Sequence, residues 1–198
     1  MKFMQLEEGE KLVRYARKVI ENHVKGEKID DLENFEEKAG VFVTINTYPE
    51  KMLRGCIGIP EPVMPLCRAI KEAAVSACHD PRFPDLRENE LDNIVVEVTV
   101  LTPPQLIKCE PKDYPKHVEI GKDGLIVEKG WYKGLLLPQV AVEYKWDEKE
   151  FLSHTCMKAG LPPDAWLDKN TKVYKFQGEV FAEEKPHGKV VKIEFENA

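Results

Sequence analysis

The sequence has no apolar run near the roughly 20 residues of a membrane span. Its longest runs, around Ile94 to Leu101 and Leu135 to Val142, are far shorter. No transmembrane helix is expected, and Met1 to Glu10 turns acidic without the apolar core of a secretory signal, so a cytoplasmic address is expected. Cysteine is scarce: the five residues Cys56, Cys67, Cys78, Cys109 and Cys156 are odd in number, irregular in spacing and contain no CxxC. That excludes a disulfide scaffold and a zinc ribbon, and reduced thiols are the default. Positive charge is not in excess, with 29 basic against 35 acidic side chains and a net charge of −6. Bulk attraction to nucleic acid or anionic lipid is therefore not expected. Also missing are HExxH, GxSxG, GxxxxGK and GxGxxG, which removes the common zinc-protease, hydrolase, NTPase and dinucleotide-binding readings and leaves the cofactor unknown. Repeats and low-complexity segments are absent too.

What is present is a folding chain. With 198 residues and 42% hydrophobic side chains, one large domain or two small ones can bury a core. Leu12, Val13, Ala16, Val19, Ile20 and Val24 fall on one helical face. The acidic connection Lys25 to Lys38 follows. Val41, Val43 and Ile45 then alternate with Phe42 and Thr44 as a strand, and a Pro-containing turn leads to a second short run, Leu53 to Ile59, which predicts a hairpin. Pro65 to His79 returns to helical spacing and stops at Pro81. Ile94 to Leu101 is β-branched and belongs to the same sheet. A second hairpin, Gly124 to Lys129 and Tyr132 to Leu137, turns at Gly130 and reads as a new small sheet. Asp147 with Glu150 caps a helix that Gly160 ends. Val173 to Phe176 and Val191 to Phe195 are strand-like, the last closing onto the first sheet as an edge. The class is α+β with antiparallel sheets flanked by helices.

The run Leu53-Arg54-Gly55-Cys56-Ile57-Gly58 is unusual because two glycines interrupt a good strand. Strict alternation puts Arg54, Cys56 and Gly58 on one face, a guanidinium beside a thiol next to a gap. Such a gap admits a ligand or another backbone, and the positive charge would favour the Cys56 thiolate. The plainer reading is tight helix packing over the glycines, with Cys56 as a small buried hydrophobe.

The segment Cys78-His79-Asp80-Pro81-Arg82-Phe83-Pro84 gathers His, Asp and Arg where the second helix stops. The helix dipole favours a charged His79 there. Packed near Cys56, it would make a Cys, His and Asp set with His79 as base and Asp80 as orienter. Alternatively, Asp80 and Arg82 form a structural ion pair or a capping turn.

Taken together, LRGCIG at Leu53 to Gly58, DPRFP at Asp80 to Pro84, LTPP at Leu101 to Pro104, LLPQVA at Leu136 to Ala141 and KAGLP with Trp166 resemble the AMMECR domain family, in order and over nearly the whole chain. The resemblance implies a larger α+β domain containing both chain ends, 1–110 with 171–198, and a smaller inserted α+β domain, 111–170. Family members occur beside Memo-like and radical-SAM proteins, which suggests a shared RNA- or nucleotide-modifying pathway, an association by context. The sequence has CHDPRFP and HTCMKAG, so no role for His79 or His154 is borrowed from the family motif.

Gln139 at the end of the second hairpin and Lys158 on the following helix are candidates to face the larger domain, or are surface groups. His154 and Cys156, two apart on a helix, make a poor metal pair, and Cys67, Cys78 and Cys156 read as packing residues. Trp131, Trp146 and Trp166, without interleaved basic clusters, read as core anchors. Two functions follow. In the first, Arg54, Gly55, Cys56, Gly58, Asp80, Arg82 and Gln139 border a cleft for a small anionic or nucleotide-like ligand, with thiol-dependent chemistry at Cys56 and His79. In the second, the motifs are fold determinants of a non-catalytic adaptor that docks a partner protein. A metal site from Cys56, Cys78 and His79 is the least favoured reading.

Overall fold

The apolar stripe between Glu8 and Val24 folds as α1, Leu6–Lys25, in the computed structural model, which describes residues 4–193. Glu8 reaches back to the Gln5 backbone N–H at 2.9 Å, and Gly26 ends the helix in the left-handed region at φ 70°. Leu12, Val13, Ala16, Val19 and Ile20 are fully buried along it. The alternating runs form β1, Val41–Thr47, and β2, Leu53–Ile59, an antiparallel hairpin. Next come α2, Leu66–Ala77, and β3, Ile94–Leu101, which pairs with the other side of β1.

Contacts divide the chain into two units, residues 4–101 with 179–193 and residues 102–178. In the first, the strand order is β2-β1-β3-β7, where β7 is Lys172–Glu183, and β8, Val190–Ile193, pairs with the end of β7. Both helices cover one sheet face, burying Val43, Ile45, Val96 and Val98 beneath them. Phe195 of the expected last strand lies outside the described residues.

In the second unit, the start of β7 pairs with β4, Gln105–Leu106, and with β5, Asp123–Lys129, which forms the expected hairpin with β6, Tyr132–Leu136. The division thus falls after Leu101 and inside β7, where the resemblance implied boundaries after residues 110 and 170. The short α3, Pro138–Glu143, precedes α4, Glu148–Lys158, whose Asp147 and Glu150 form the expected capping box at 2.8 and 2.9 Å. Leu125, Val127, Phe151, Leu152 and Trp166 make this unit's own core. The tryptophans divide: Trp166 anchors the core, Trp146 is half-buried and stacks on His154 at 3.8 Å, and Trp131 is fully exposed at the hairpin tip. The expectation of three core anchors is corrected, because a residue at a two-residue turn projects beyond both strands.

The first unit is fastened by a buried ion pair. Arg17 of α1 donates from Nε and Nη2 to the two Glu183 carboxylate oxygens, both at 2.6 Å, and from Nη2 to the Ile94 carbonyl at 2.7 Å. Glu183 also accepts from the Val96 N–H at 3.0 Å. Helix, central strand and last long strand thus meet at one satisfied network. Replacing Arg17 by Met leaves the buried Glu183 carboxylate with only Arg14, whose Nη1 is 3.6 Å away, and urea unfolding is expected to show a loss of about 3 kcal/mol. The double variant with Glu183→Leu recovers much of it; a loss under about 1 kcal/mol in the single variant would show the pair to be peripheral.

Candidate functional site

Strand β2 lies at a sheet edge, paired to β1 alone in the described structure, so its outer peptide groups need partners. At Cys56 the segment after α2 supplies them. Asp80, 2% exposed, accepts the Cys56 N–H at 2.9 Å, and Arg82 Nη2 donates to the Cys56 carbonyl at 3.2 Å. Arg82 also donates to Asp80 from Nε at 3.0 Å, from Nη2 at 2.7 Å and from its backbone N–H at 3.0 Å. The Asp-Pro-Arg motif therefore clamps the peptide of the Leu-Arg-Gly-Cys motif as a neighbouring strand would. Arg82 first, and then the two backbone N–H groups, hold the Asp80 carboxyl well below the usual carboxylate range.

Gly55 serves the same contact. A Cβ there would stand 2.3 Å from the Ala77 carbonyl oxygen, at the end of α2. The gap in the strand admits another backbone, and a ligand is not what fills it. At Gly58 the space is taken by the Phe42 ring, 2.2 Å from where a Cβ would lie.

Arg54 does not stand beside Cys56. The β1–β2 register shifts between Ile45 and Asn46, pairing Ile45 with Gly55 and Asn46 with Leu53, so Arg54 is the extra residue and strict alternation fails. Its guanidinium is bound to Glu90 at 2.7 and 3.0 Å and to the Asp85 carbonyl at 3.3 Å. Nor do His79 and Asp80 assemble as base and orienter. His79 Nε2 lies 2.7 Å from His23 Nε2, and its Nδ1 lies 2.8 Å from Asp85 Oδ1, while the Asp80 carboxylate is engaged by Arg82 and the Cys56 peptide. The Cys, His and Asp set is corrected accordingly: consecutive residues past a helix end point in different directions. Gln139 lies in the first turn of α3 and Lys158 in the last of α4, both in the second unit. Cys56, Asp80 and Arg82 are the predicted residues that come together. Among the described residues, no group of three or more His, Cys, Asp or Glu side chains is placed to hold a metal ion.

The Cys56 side chain faces away from the helices, and across the sheet its neighbours are residues the motifs did not reveal. Thr44 of β1 is opposite Cys56 on one side and opposite Glu97 of β3 on the other. The Thr44 hydroxyl donates to Cys56 Sγ at 3.2 Å. Burial pushes the Cys56 thiol up, and the opposing effects of Thr44 and Arg82 do not overcome it. The expected thiolate is thus replaced by a neutral thiol, because desolvation outweighs the nearby cation. Burial also pushes Glu97 up. The signal for Glu97 was available: it is the single charged residue in the run IVVEVTVL.

Comparison with known proteins agrees with this architecture. The AMMECR1 family profile matches residues 13–181. The chain belongs to the AMMECR1 family. Protein MJ0810 of Methanocaldococcus jannaschii is 57% identical over 196 residues, covering 96% of this chain and 98% of that protein. Protein PH0010 of Pyrococcus horikoshii is 57% identical over 191 residues, with 92% and 93% covered. The crystal structure of PH0010 superposes with a TM-score of 0.79 at 54% identity, covering 94% of this chain and 97% of that one. As in the sequence reading, the AMMECR1 motifs sit in an α+β fold with antiparallel sheets, and no helix among the described residues is long and apolar enough to cross a membrane.

Two outcomes test the packing of this site. Gly55→Ala is expected to cost about 1–3 kcal/mol in urea unfolding, more than Gly58→Ala, because a carbonyl at a helix end yields less than an aromatic side chain. Equal costs would refute the backbone contact. The His23 ring is held below the ordinary histidine value, first by burial and then by the charge of His79. Its neutral form therefore contributes stability above about pH 6.5 that is lost as pH falls through the lower folded value. Thermal midpoints should decline from pH 7 to pH 5, and less steeply in His23→Gln; parallel declines would show the pair to be inert.

Proposed function

We propose that the helix-free face of the first unit's sheet binds a small anionic ligand, a nucleotide or a compound like one, and presents the Cys56 thiol to it. The supporting observation is the state of Arg82. Its side chain is 56% exposed, yet Nε and Nη2 are fixed by a buried carboxylate and a backbone carbonyl. An arginine already oriented loses little freedom when its remaining donors meet phosphate or carboxylate oxygens. The Asp80–Arg82 pair is neutral as a whole, so attraction is short-ranged and depends on the fork geometry. Thiol-dependent chemistry at Cys56 begins here from the protonated thiol and requires a proton acceptor.

A second reading is the non-catalytic adaptor, docking a protein partner such as the Memo-like or radical-SAM proteins. It is favoured by the use of Gly55, Gly58 and Asp80 as packing and clamping residues. Calorimetric titration with AMP, ATP, pyrophosphate and inorganic phosphate separates the two. The wild-type protein is expected to bind at least one of these, and Arg82→Lys, which keeps a cation near Asp80 but loses the fork, to bind it about 10- to 100-fold more weakly at a temperature where circular dichroism shows both proteins fully folded. Absence of binding in the wild type, or equal binding by the variant, would reject the anion site and leave the adaptor.

A further inference from the structure

His23 and His79 belong to different elements, and their rings meet head to head. His23 lies in the last turn of α1, and His79 follows the end of α2. Their Nε2 atoms are 2.7 Å apart and their ring centroids 5.0 Å, a difference that two ring radii fill, so each nitrogen points straight at the other. The hydrogens follow from chemistry. An ionised carboxylate only accepts, so Asp85 Oδ1, 2.8 Å from His79 Nδ1, receives the Nδ1–H. The neutral His79 ring then has its lone pair on Nε2, and the hydrogen between the rings belongs to His23. A gap of 2.7 Å between nitrogens holds one hydrogen and not two. One added proton leaves the bond intact, because one ring still donates and the other accepts. A second proton makes both Nε2 atoms donors on like charges, and the bond is lost.

The hydrogen bond from His79 to Asp85 closes a loop, and that loop contains Asp80 and Arg82. Within it the Phe83 N–H donates to the Asp80 carbonyl at 2.9 Å, and just past it the Leu86 N–H donates to the Cys78 carbonyl at 2.9 Å. Asp80, Arg82 and Asp85 fasten the loop to β2, through Cys56 and Arg54, whereas His23 fastens it to α1. We propose that the His23–His79 pair is a proton-operated latch on the loop that carries Arg82, closed while the pair holds no more than one added proton and open when both rings are charged. The latch stands on this geometry alone. Its consequence, that acid loosens the oriented guanidinium and weakens its hold on an anion, rests on the reading of Arg82 as the anion site. The titratable and charged groups that bear on the pair are Asp85 of the same loop, Arg54 of β2 with its partner Glu90, and Cys78, whose buried thiol is pushed up to about 12 and stays uncharged. Burial and then the charge of His79 hold His23 down, so the latch opens below the ordinary histidine value of about 6.5.

Amide hydrogen exchange at pH 7 and pH 5, each rate divided by the intrinsic rate at that pH, reads the latch without any ligand. In the wild type, protection of the Arg82, Phe83 and Leu86 amides is expected to fall about 3- to 10-fold at pH 5, while that of Val43 and Val98 inside the sheet is kept. His23→Gln removes the response, since its amide group donates to a neutral His79 ring and accepts from a charged one. The same loss in His23→Gln, no loss in the wild type, or an equal loss at Val43 and Val98 overturns the latch. Calorimetric titration with pyrophosphate at the two pH values then tests the consequence. Protonation of pyrophosphate is common to both proteins, so the wild type is expected to lose about 3- to 10-fold more affinity on acidification than His23→Gln. Equal losses, or no pyrophosphate binding at either pH, overturn the control of Arg82 and not the latch, which the exchange decides.

Discussion

A single buried carboxylate sets the position of this sheet face. Asp80 receives the Cys56 N–H, the Arg82 backbone N–H and two guanidinium donors, and the same guanidinium takes the Cys56 carbonyl. An edge strand would otherwise leave these peptide groups to water or to another chain. With them satisfied, the Cys56 peptide is held on both sides, and its side chain meets Thr44 of β1. The close approach of the Ala77 carbonyl to Gly55 puts the end of α2, and so Asp80 itself, at the right distance from the strand. Glycine, aspartate and arginine in the two motifs are thus parts of one contact, which explains why the motifs occur together.

The electrostatics of the face follow from where that clamp places charge. Arg82 favours the Cys56 thiolate, the carboxylates of Glu97 and Asp80 oppose it, and desolvation dominates. Arg54 is engaged by Glu90. A thiol in these surroundings is neutral at rest. Burial on the same cross-strand row also raises the carboxyl of Glu97. Behind the face, the Arg17–Glu183 pair ties α1 to β3 and β7.

Much of the fold could be read along the chain. The α1 stripe, the β1–β2 hairpin, the second hairpin turning at Gly130 and the Asp147 capping box all stand as local periodicity and capping indicated. The candidate site was legible only in part. Cys56, Asp80 and Arg82 come together, but Arg54 is displaced by a bulge that no residue in its own strand announces, and His79 turns to His23, which lies 56 positions earlier. Trp131, counted with the core aromatics, sits at a hairpin tip in solvent.

The sequence by itself determined the longer helices and strands, the α+β class and the family, because helix spacing, strand alternation, caps and contiguous motifs are properties of neighbouring residues; the short β4 and α3 it did not show. Tertiary structure alone decided which groups meet. The Cys56 clamp, the Arg17–Glu183 pair and the Cys56–Thr44–Glu97 row join residues far apart in the chain, and the state of each ionisable group depends on burial and on partners that only packing supplies. Strand register is the physical reason. A shift of one residue in β1–β2 pairing moved an arginine away from the thiol, and the β1–β3 pairing set a glutamate on its row.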